Sequence, residues 1–196
     1  MQSQEVSRVH STSSVKPKKR KKGRGKEQIR WKLKPLHPQY IVGFIDGEGS
    51  LCVCIYYDEK MKNKIFVRPA LEIELRADDK KILERIQRTL KCGTIFECKY
   101  ERYGWYPHMK YRIARMDEII GILIPFLEKY PLQAKKAEVF KYFKKIVQKR
   151  MNGEHLTKKG VKEILELRSR MRVLGKKHPS KTARVRENRL LSGVRR

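Results

Sequence analysis

Residues 40–50 read YIVGFIDGEGS, a short apolar run that ends in two acidic residues set among glycines. The run is too short to span a membrane, and it predicts a short helix packed in a core. Gly43 and Gly47 lie one helical turn apart, so one face of this helix lets another backbone approach closely. Gly47 and Gly49 flank Glu48, which predicts that the chain leaves the helix sharply here and turns into a strand.

The two acids that close the run, Asp46 and Glu48, have two possible roles. A buried acid costs free energy unless it binds a proton, a donor or a metal. From the residues alone, an acidic metal ligand and a solvated acid in a plain helix C-cap both remain open.

Residues 41–49, IVGFIDGEG, resemble position for position the signature of the LAGLIDADG homing endonucleases. The elements that follow are similar to that family's order over about residues 37–150. In the family, the signature helices of two subunits or half-domains pack together, and the last acid of each motif binds divalent metal beside the scissile phosphates. The resemblance implies that Glu48 is catalytic and binds the metal. It also implies that Asp46, which matches the first acid, is structural and lies with Gly43 and Gly47 in a dimer interface.

The signature occurs once in the sequence. Cleavage of both DNA strands requires two metal-binding acids, so we expect a homodimer about a two-fold axis and a pseudo-palindromic target. The expected cofactor is Mg²⁺ or another divalent metal such as Mn²⁺, with Ca²⁺ in non-cleaving complexes. The resemblance further implies a basic residue near the active-site water, for which Lys136 is the first candidate and Lys135 the second.

Period-two alternation after Gly49 predicts an antiparallel four-stranded sheet, with strands near 50–56, 65–75, 94–101 and 106–115. One face is apolar and covered by helices, and the other is open and polar. We expect the open face to bind DNA, with a β-ribbon in the major groove. A solvated sheet face is the alternative, and phosphate contact is as plausible as base reading for any one side chain. The candidates are Ser50, Cys52, Cys54, Tyr56, Phe66, Arg68, Glu72, His108, Lys110 and Arg112.

Helical periodicity predicts the remaining elements. An Asp78–Asp79 start precedes a helix that Gly93 ends, a buried helix covers 119–127, and amphipathic helices follow at 132–151 and 157–173. The predicted fold class is therefore α+β. The element order is the α-β-β-α-β-β-α of a homing-endonuclease-like fold, with extra C-terminal helices.

The composition indicates a polyanionic partner. Lys and Arg number 49 against 21 acids, for a net charge of +28, and nucleic acid is the commonest polyanion that such a charge binds. No long apolar run or secretory signal core supports a membrane partner. The cysteines Cys52, Cys54, Cys92 and Cys98 lack paired C-x-x-C spacing, which favours free thiols in a reducing compartment. We expect an intracellular protein with DNA, in a bacterial or archaeal cytoplasm or an organelle; a nuclear location remains open.

We divide the chain into a basic arm (1–36), an endonuclease-like domain (37–174) and a basic tail (175–196). Residues 16–26 hold eight basic residues and no acid, which predicts a disordered arm on the phosphate backbone, with a nuclear-localisation cluster as the alternative. The domain itself carries 29 basic and 18 acidic residues, so the excess charge is not confined to the ends.

Three functions compete. The first is a site-specific, metal-dependent double-strand DNA endonuclease of the intron-encoded type. The second is a maturase-like protein that binds intron RNA with the same fold. The third is a non-catalytic DNA-binding regulator. Glu48 argues against the third, because a pure binder has no need of an acid facing phosphate.

Overall fold

The computed structural model of the protein describes residues 34–58, 64–100, 104 and 106–175. The chain divides into two units, residues 1–32 and 33–196, and every described residue belongs to the second. Most of the predicted arm and the tail beyond Gly175 lie outside the described residues. Leu36 is buried, and its N–H donates to Thr89 Oγ1 at 2.8 Å. The packed chain therefore includes the last residues assigned to the arm.

The described elements follow the order α-β-β-α-β-β-α with two further helices, as the sequence predicted. They are α1 (Pro38–Glu48), β1 (Gly49–Asp58), β2 (Lys64–Arg76), a 3₁₀ turn (Ala77–Asp79), α2 (Lys80–Leu90), β3 (Thr94–Cys98), β4 (His108–Ile113), α3 (Met116–Glu118), a π turn (Ile119–Leu123), α4 (Ile124–Lys129), α5 (Lys136–Met151), a second 3₁₀ turn (Glu154–Leu156) and α6 (Lys158–Leu174).

The four strands form one antiparallel sheet in the order β1-β2-β4-β3. β1 pairs with β2 along its length, and Cys54 lies opposite Arg68. β4 pairs with β2 over residues 71–76. Residues 64–70 of β2 therefore have a strand partner in β1 and none in β4.

One face of the sheet is buried under the helices. Its residues alternate with those of the open face and are Leu51, Val53, Ile55, Ile65, Val67, Leu71, Ile73, Met109, Tyr111 and Ile113. Helix α1 adds Ile41, Val42 and Ile45 to this core, and α5 adds Phe143 and Ile146, which are fully buried. Replacing Phe143 by Ala would cost about 3–5 kcal/mol by the usual cost of emptying an aromatic core site. The predicted α+β fold is confirmed.

The buried helix predicted at 119–127 is longer and contains a π turn. Ile119, Leu123 and Leu127 are buried at four-residue intervals, and helical segments run from 116 to 129. Pro125 lies at the start of α4 and has no N–H to donate to the carbonyl of Gly121. A local π adjustment immediately before it accommodates that missing bond.

The predicted start of α5 at residue 132 was wrong, because the helix begins at Lys136. Pro131 precedes this segment, and the N–H groups of Gln133 and Ala134 donate to the Asp46 carboxylate instead of forming a helical turn. A long-range contact therefore overrides local helical periodicity here.

The other boundaries moved by a few residues. β3 ends at Cys98 and β4 covers His108–Ile113, since Pro107 has no N–H for a ladder and the chain turns into α3 after Ile113. Helix α2 ends at Leu90, because Lys91 adopts a left-handed φ of 57°. Gly93 follows with φ 78°, and a Cβ there would lie 2.6 Å from the Tyr111 ring. The glycine therefore serves the turn into β3 rather than the end of the helix itself.

Cys54, Cys92 and Cys98 are free thiols, as predicted, and the Cys52 thiol donates to the carbonyl oxygen of Ala70 at 3.5 Å. Across residues 34–175, in the portions described, no helix is both long and apolar enough to cross a membrane.

Candidate active site

Helix α1 passes directly into β1 at Glu48 and Gly49. Gly49 is extended, with φ −72° and ψ 149°, and donates its N–H to the carbonyl of Ile45. A Cβ on Gly49 would lie 2.7 Å from that carbonyl oxygen, closer than real Cβ atoms come to backbone. Glycine at position 49 thus permits the chain to turn abruptly from helix to strand. The side chain of Glu48 is exposed at this turn, which we call the Glu48 corner.

Asp46 is bonded to the segment before α5. Its Oδ2 accepts the N–H of Gln133 at 2.7 Å and that of Ala134 at 3.3 Å. Its Oδ1 is buried and has no hydrogen-bond partner among the described residues. Asp46 therefore satisfies backbone donors that no helical turn satisfies. This is a structural contact within the subunit, and the place of Asp46 in a dimer interface stays a prediction.

Lys136 reaches the C-terminal end of α1. Its Nζ donates to the carbonyl of Asp46 at 2.5 Å and to that of Gly47 at 3.0 Å. Terminal helix carbonyls lack intrahelical partners and carry the negative end of the helix dipole, so an ammonium group is well placed there. Lys135, the second candidate, is exposed at the residue before α5. The structure therefore brings Lys136 to the Glu48 corner.

The glycine face of α1 is open. Nothing lies within 4 Å of a Cβ built on Gly43 or on Gly47. Tyr40, at 51% exposure, stacks on Phe44 with ring centroids 6.1 Å apart, and these four residues share one helical stripe. The opposite side of α1 carries its buried residues. Tyr40, Gly43 and Gly47 of this stripe are exposed, and Phe44 is half-buried against the core. A stripe with bare backbone at two glycines is suited to a second helix.

The open face of the sheet carries all ten predicted DNA-binding residues. Strand register places Ser50 opposite Glu72, Cys54 opposite Arg68 and Tyr56 opposite Phe66. His108, Lys110 and Arg112 continue this face on β4. None of the ten is buried. Their contacts with DNA stay a prediction.

Several charges on this face are already paired. Glu72 lies opposite Arg112, with Oε1 3.1 Å from Nε, although that N–H is not aimed at an acceptor. Lys110 Nζ lies 2.9 Å from Glu74 Oε2 and 3.7 Å from Glu72 Oε2. These cross-strand ion pairs are partly exposed and each contributes little stability, but they hold the side chains in place.

The ion pairs also shift protonation equilibria. Burial raises the pKa of Glu74, but hydrogen bonds from Lys110 and Tyr100 outweigh it and hold the pKa below its ordinary value. Burial lowers the pKa of Lys110, but its hydrogen bond to Glu74 outweighs burial and raises the pKa above its ordinary value. The hydrogen bond between Tyr100 and Glu74 raises the pKa of Tyr100 to about 12. All three groups keep their usual charge at neutral pH.

Arg68 is held by aromatic rings. Its guanidinium carbon lies 5.0 Å from the Tyr56 ring centroid and 5.8 Å from that of Phe66, and the two rings stack 5.2 Å apart. A guanidinium over aromatic faces gains a cation–π attraction while its N–H groups remain available to a ligand.

Sequence reasoning placed Glu74 on this face but did not count it among the DNA-binding candidates, and it missed three residues of β3. Register with β4 puts those three on the open face: Thr94, Phe96 and Cys98. The β3 sequence TIFEC has apolar residues on both faces, so alternation alone could not orient it. The pairing of β3 with the basic strand β4 was the signal that could have shown which residues of β3 lie on the open face.

The LAGLIDADG endonuclease family model matches residues 41–147, more than half of the chain. The chain belongs to this family. The matched LAGLIDADG segment begins in α1 and ends within α5, so it spans the corner, the sheet and Lys136.

Similar proteins agree with the LAGLIDADG assignment. A probable intron-encoded endonuclease 2 of Neurospora crassa is 32% identical over 135 residues, which are 68% of this chain and 29% of that protein. The chain thus spans less than a third of the length of this curated relative. The homing endonuclease I-TnaI superposes with a TM-score of 0.68 at 29% identity, covering 83% of this chain and 100% of that one. I-SmaMI, bound to an uncleaved DNA target in the presence of calcium ions, superposes with a TM-score of 0.66 at 27% identity, over 76% and 48% of the two chains.

Proposed function

We propose that this protein is a site-specific double-strand DNA endonuclease of the intron-encoded type, acting as a homodimer with a divalent metal ion. The observation that carries the proposal is the corner at Glu48. There an exposed carboxylate ends a helix whose outer face is bare, at the start of an open, charged sheet. The N. crassa relative is named a probable intron-encoded endonuclease, and I-SmaMI is bound to a DNA target in the presence of calcium ions, which supports a DNA endonuclease with a divalent metal here.

The donor chemistry at the corner fits a hard cation. Glu48 supplies carboxylate oxygens at the C-terminal end of α1, where the helix dipole adds negative potential. Among the described residues, no group of three or more His, Cys, Asp or Glu side chains could hold a metal on its own. Mg²⁺ commonly binds through one or two carboxylates, waters and substrate phosphates, so one Glu48 per chain suffices when DNA is bound. When bound, the ion would supply a nucleophilic water and neutralise phosphate charge.

Lys136 and Asp46 keep this corner in place. Lys136 joins α5 to the last carbonyls of α1, and the Asp46 carboxylate joins the preceding loop to the same helix. We propose Lys136 as a positioning residue that also places positive charge beside the scissile phosphate. Lys135 remains the second choice.

The dimer follows from the single motif and the open glycine face. Two α1 helices packed through Gly43 and Gly47 would bring two Glu48 carboxylates to one interface, one for each DNA strand. Close approach of the helices is possible because neither glycine has a side chain to displace.

Cleavage by a Glu48→Gln variant tests the proposal. The change preserves size and removes the charge that binds metal. We expect DNA binding to persist, while cleavage of a selected target with Mg²⁺ falls at least about a hundredfold, since metal stabilisation of the transition state is worth several kcal/mol. Glu138→Gln is the matched control, because Glu138 is an exposed acid on α5 paired with Lys141 at 2.6 Å.

Full cleavage by Glu48→Gln would refute the catalytic assignment. A wild-type protein that cleaves no sequence from a randomised DNA library but binds its intron RNA tightly would instead indicate the maturase-like function.

A further inference from the structure

Four charged side chains on the open face of the sheet are paired with one another. In the pairing of β2 with β4, Glu72 lies opposite Arg112 and Glu74 lies opposite Lys110. Lys110 Nζ lies 2.9 Å from Glu74 Oε2 and 3.7 Å from Glu72 Oε2, and Arg112 Nε lies 3.1 Å from Glu72 Oε1. Two acidic and two basic side chains therefore form one connected network without net formal charge.

This network is poorly suited to binding a phosphate. Phosphates are bound by positive charge in excess, whereas the network has none. A phosphate that approached Arg112 would also be repelled by the Glu72 carboxylate, which lies 3.1 Å from its Nε. The edges of the bases are uncharged and carry hydrogen-bond donors and acceptors. The paired side chains therefore match base edges better than they match the DNA backbone.

Arg112 has a central place in the sheet. β4 lies between β2 and β3, so Arg112 has a neighbouring strand on both sides. When a sheet lies in the major groove, its inner strands face the base edges on the groove floor. The row that contains Glu72 and Arg112 continues with small residues, Ser50 on β1 and Thr94 on β3. A base edge can therefore approach the guanidinium without displacing a large side chain.

The guanidinium of Arg112 presents its two terminal nitrogens to a ligand. Its Nε is buried beside Glu72 and has no hydrogen-bond partner among the described residues, while the side chain as a whole is 35% exposed. Two terminal N–H groups match two adjacent acceptors. In the major groove, guanine offers such a pair in O6 and N7, whereas adenine sets a donor beside N7 and thymine has a single acceptor beside a methyl group.

We propose that Arg112 reads one guanine in each half of the DNA target, donating from its terminal nitrogens to O6 and N7, and that Glu72 is the positioning residue that holds the guanidinium. The inference rests on the proposed DNA-binding function and assigns a base preference to one residue of the open face. One good bidentate contact should favour G·C over A·T at that position by about 5- to 150-fold in affinity.

Selection of bound duplexes from a randomised library, with Ca²⁺ in place of Mg²⁺, locates the guanine. Wild-type protein should select guanine in each half-site, and Arg112→Gln should lose this preference at one position. In the selected target, 7-deazaguanine at that position removes the N7 acceptor and leaves base pairing unchanged. It should weaken binding by the wild type and have no effect on binding by Arg112→Gln, because the contact is already absent.

Glu72→Gln tests the positioning role. The change preserves size and removes the charge beside Nε of Arg112. The affinity ratio between G·C and A·T targets should fall, while the affinity for mixed-sequence DNA should rise, because an acid has left a surface that faces DNA. An equal loss of affinity for all sequences would show that Glu72 supports the fold and does not position Arg112.

Arg115→Gln is the matched control, since it makes the same change at an arginine held by a carboxylate outside the sheet. Arg115 precedes α3, and its Nε donates to Asp117 Oδ1 at 3.1 Å. This variant should keep the base preference of the wild type. Thermal denaturation of each variant shows whether the fold is retained.

A guanine preference in Arg112→Gln equal to that of the wild type would overturn this inference and leave the proposed endonuclease untouched. Equal weakening for every sequence, with a salt slope flattened by about 0.9, would also overturn it, because Arg112 would then bind a phosphate. Failure of the wild type to bind any duplex DNA would instead refute the proposed function, and this inference with it.

Discussion

Replacing Gly43 with Ala should affect the isolated subunit and the dimer in opposite directions. In the subunit, the new methyl group meets no atom within 4 Å, so it adds no clash. Alanine is about 0.5–1 kcal/mol more favourable than glycine inside a helix. For a domain of this size the melting temperature of the subunit should rise by about 1–4 °C.

In the proposed dimer, the same methyl group would fill the space that the second helix needs. Overpacking a close contact costs about 1–3 kcal/mol, and two-fold symmetry places the substitution in the interface twice. Even the lower limit sums to about 2 kcal/mol, a roughly 30-fold weaker dimer. Gly43→Leu should prevent dimer formation altogether.

Sedimentation velocity over a concentration series gives the dimer dissociation constant, and thermal denaturation at concentrations below it gives the subunit stability. Gly121→Ala is the control, because Gly121 is equally bare but lies in the π turn rather than on α1. That variant should leave the dissociation constant unchanged. A Gly43→Ala protein with wild-type dimer affinity would show that this face is not a close helix contact. A less stable subunit would show instead that the new methyl group clashes within the subunit.

Two further outcomes follow from the corner and the sheet. Gly49→Ala places a Cβ 2.7 Å from the Ile45 carbonyl oxygen and should lower the free energy of unfolding, measured in urea, by about 1–3 kcal/mol. DNA cleavage should also fall, because Glu48 moves with the corner. Wild-type stability would show that the turn from helix to strand does not require glycine at position 49. Glu74→Gln removes a carboxyl whose pKa is lowered on folding, so its contribution to stability is present at neutral pH and lost as the pH falls through that lowered pKa. The melting temperatures of Glu74→Gln and wild type should therefore differ most near pH 7 and converge in acid, and a difference that grows in acid would show the sign to be wrong.

The alternation of the strands could be predicted from sequence because one buried face imposes a period of two. Every odd residue from Leu51 to Ile55 is buried, as predicted. Ala70 shows the limit of the pattern: it lies opposite Cys52 on the open face, yet it is fully buried. A small side chain between larger neighbours is covered whichever face it occupies.

The signature predicts Glu48 as the metal-binding acid, and that role stays a prediction. The surroundings of the corner depend on contacts between distant residues. Nothing near residue 46 in the sequence indicates that its carboxylate accepts N–H groups from 133 and 134, and that contact also delays the start of α5. Pairing of Glu72 with Arg112 required the register of β2 against β4. Local propensity carries no information on any of these.

The bonds from Lys136 and Asp46 have a consequence for the order of events during synthesis. They join residues separated by 87 to 90 positions, so α1 and β1 emerge from the ribosome long before the groups that fix their junction. Closing so long a loop carries an entropic cost that is recovered after the sheet has brought its ends together. A growing chain thus displays the complete acidic signature while the corner is still loose. If the proposed function is right, cleavage of DNA requires the first turn of α5 to have docked, and nuclease activity would begin only after most of the domain has been made.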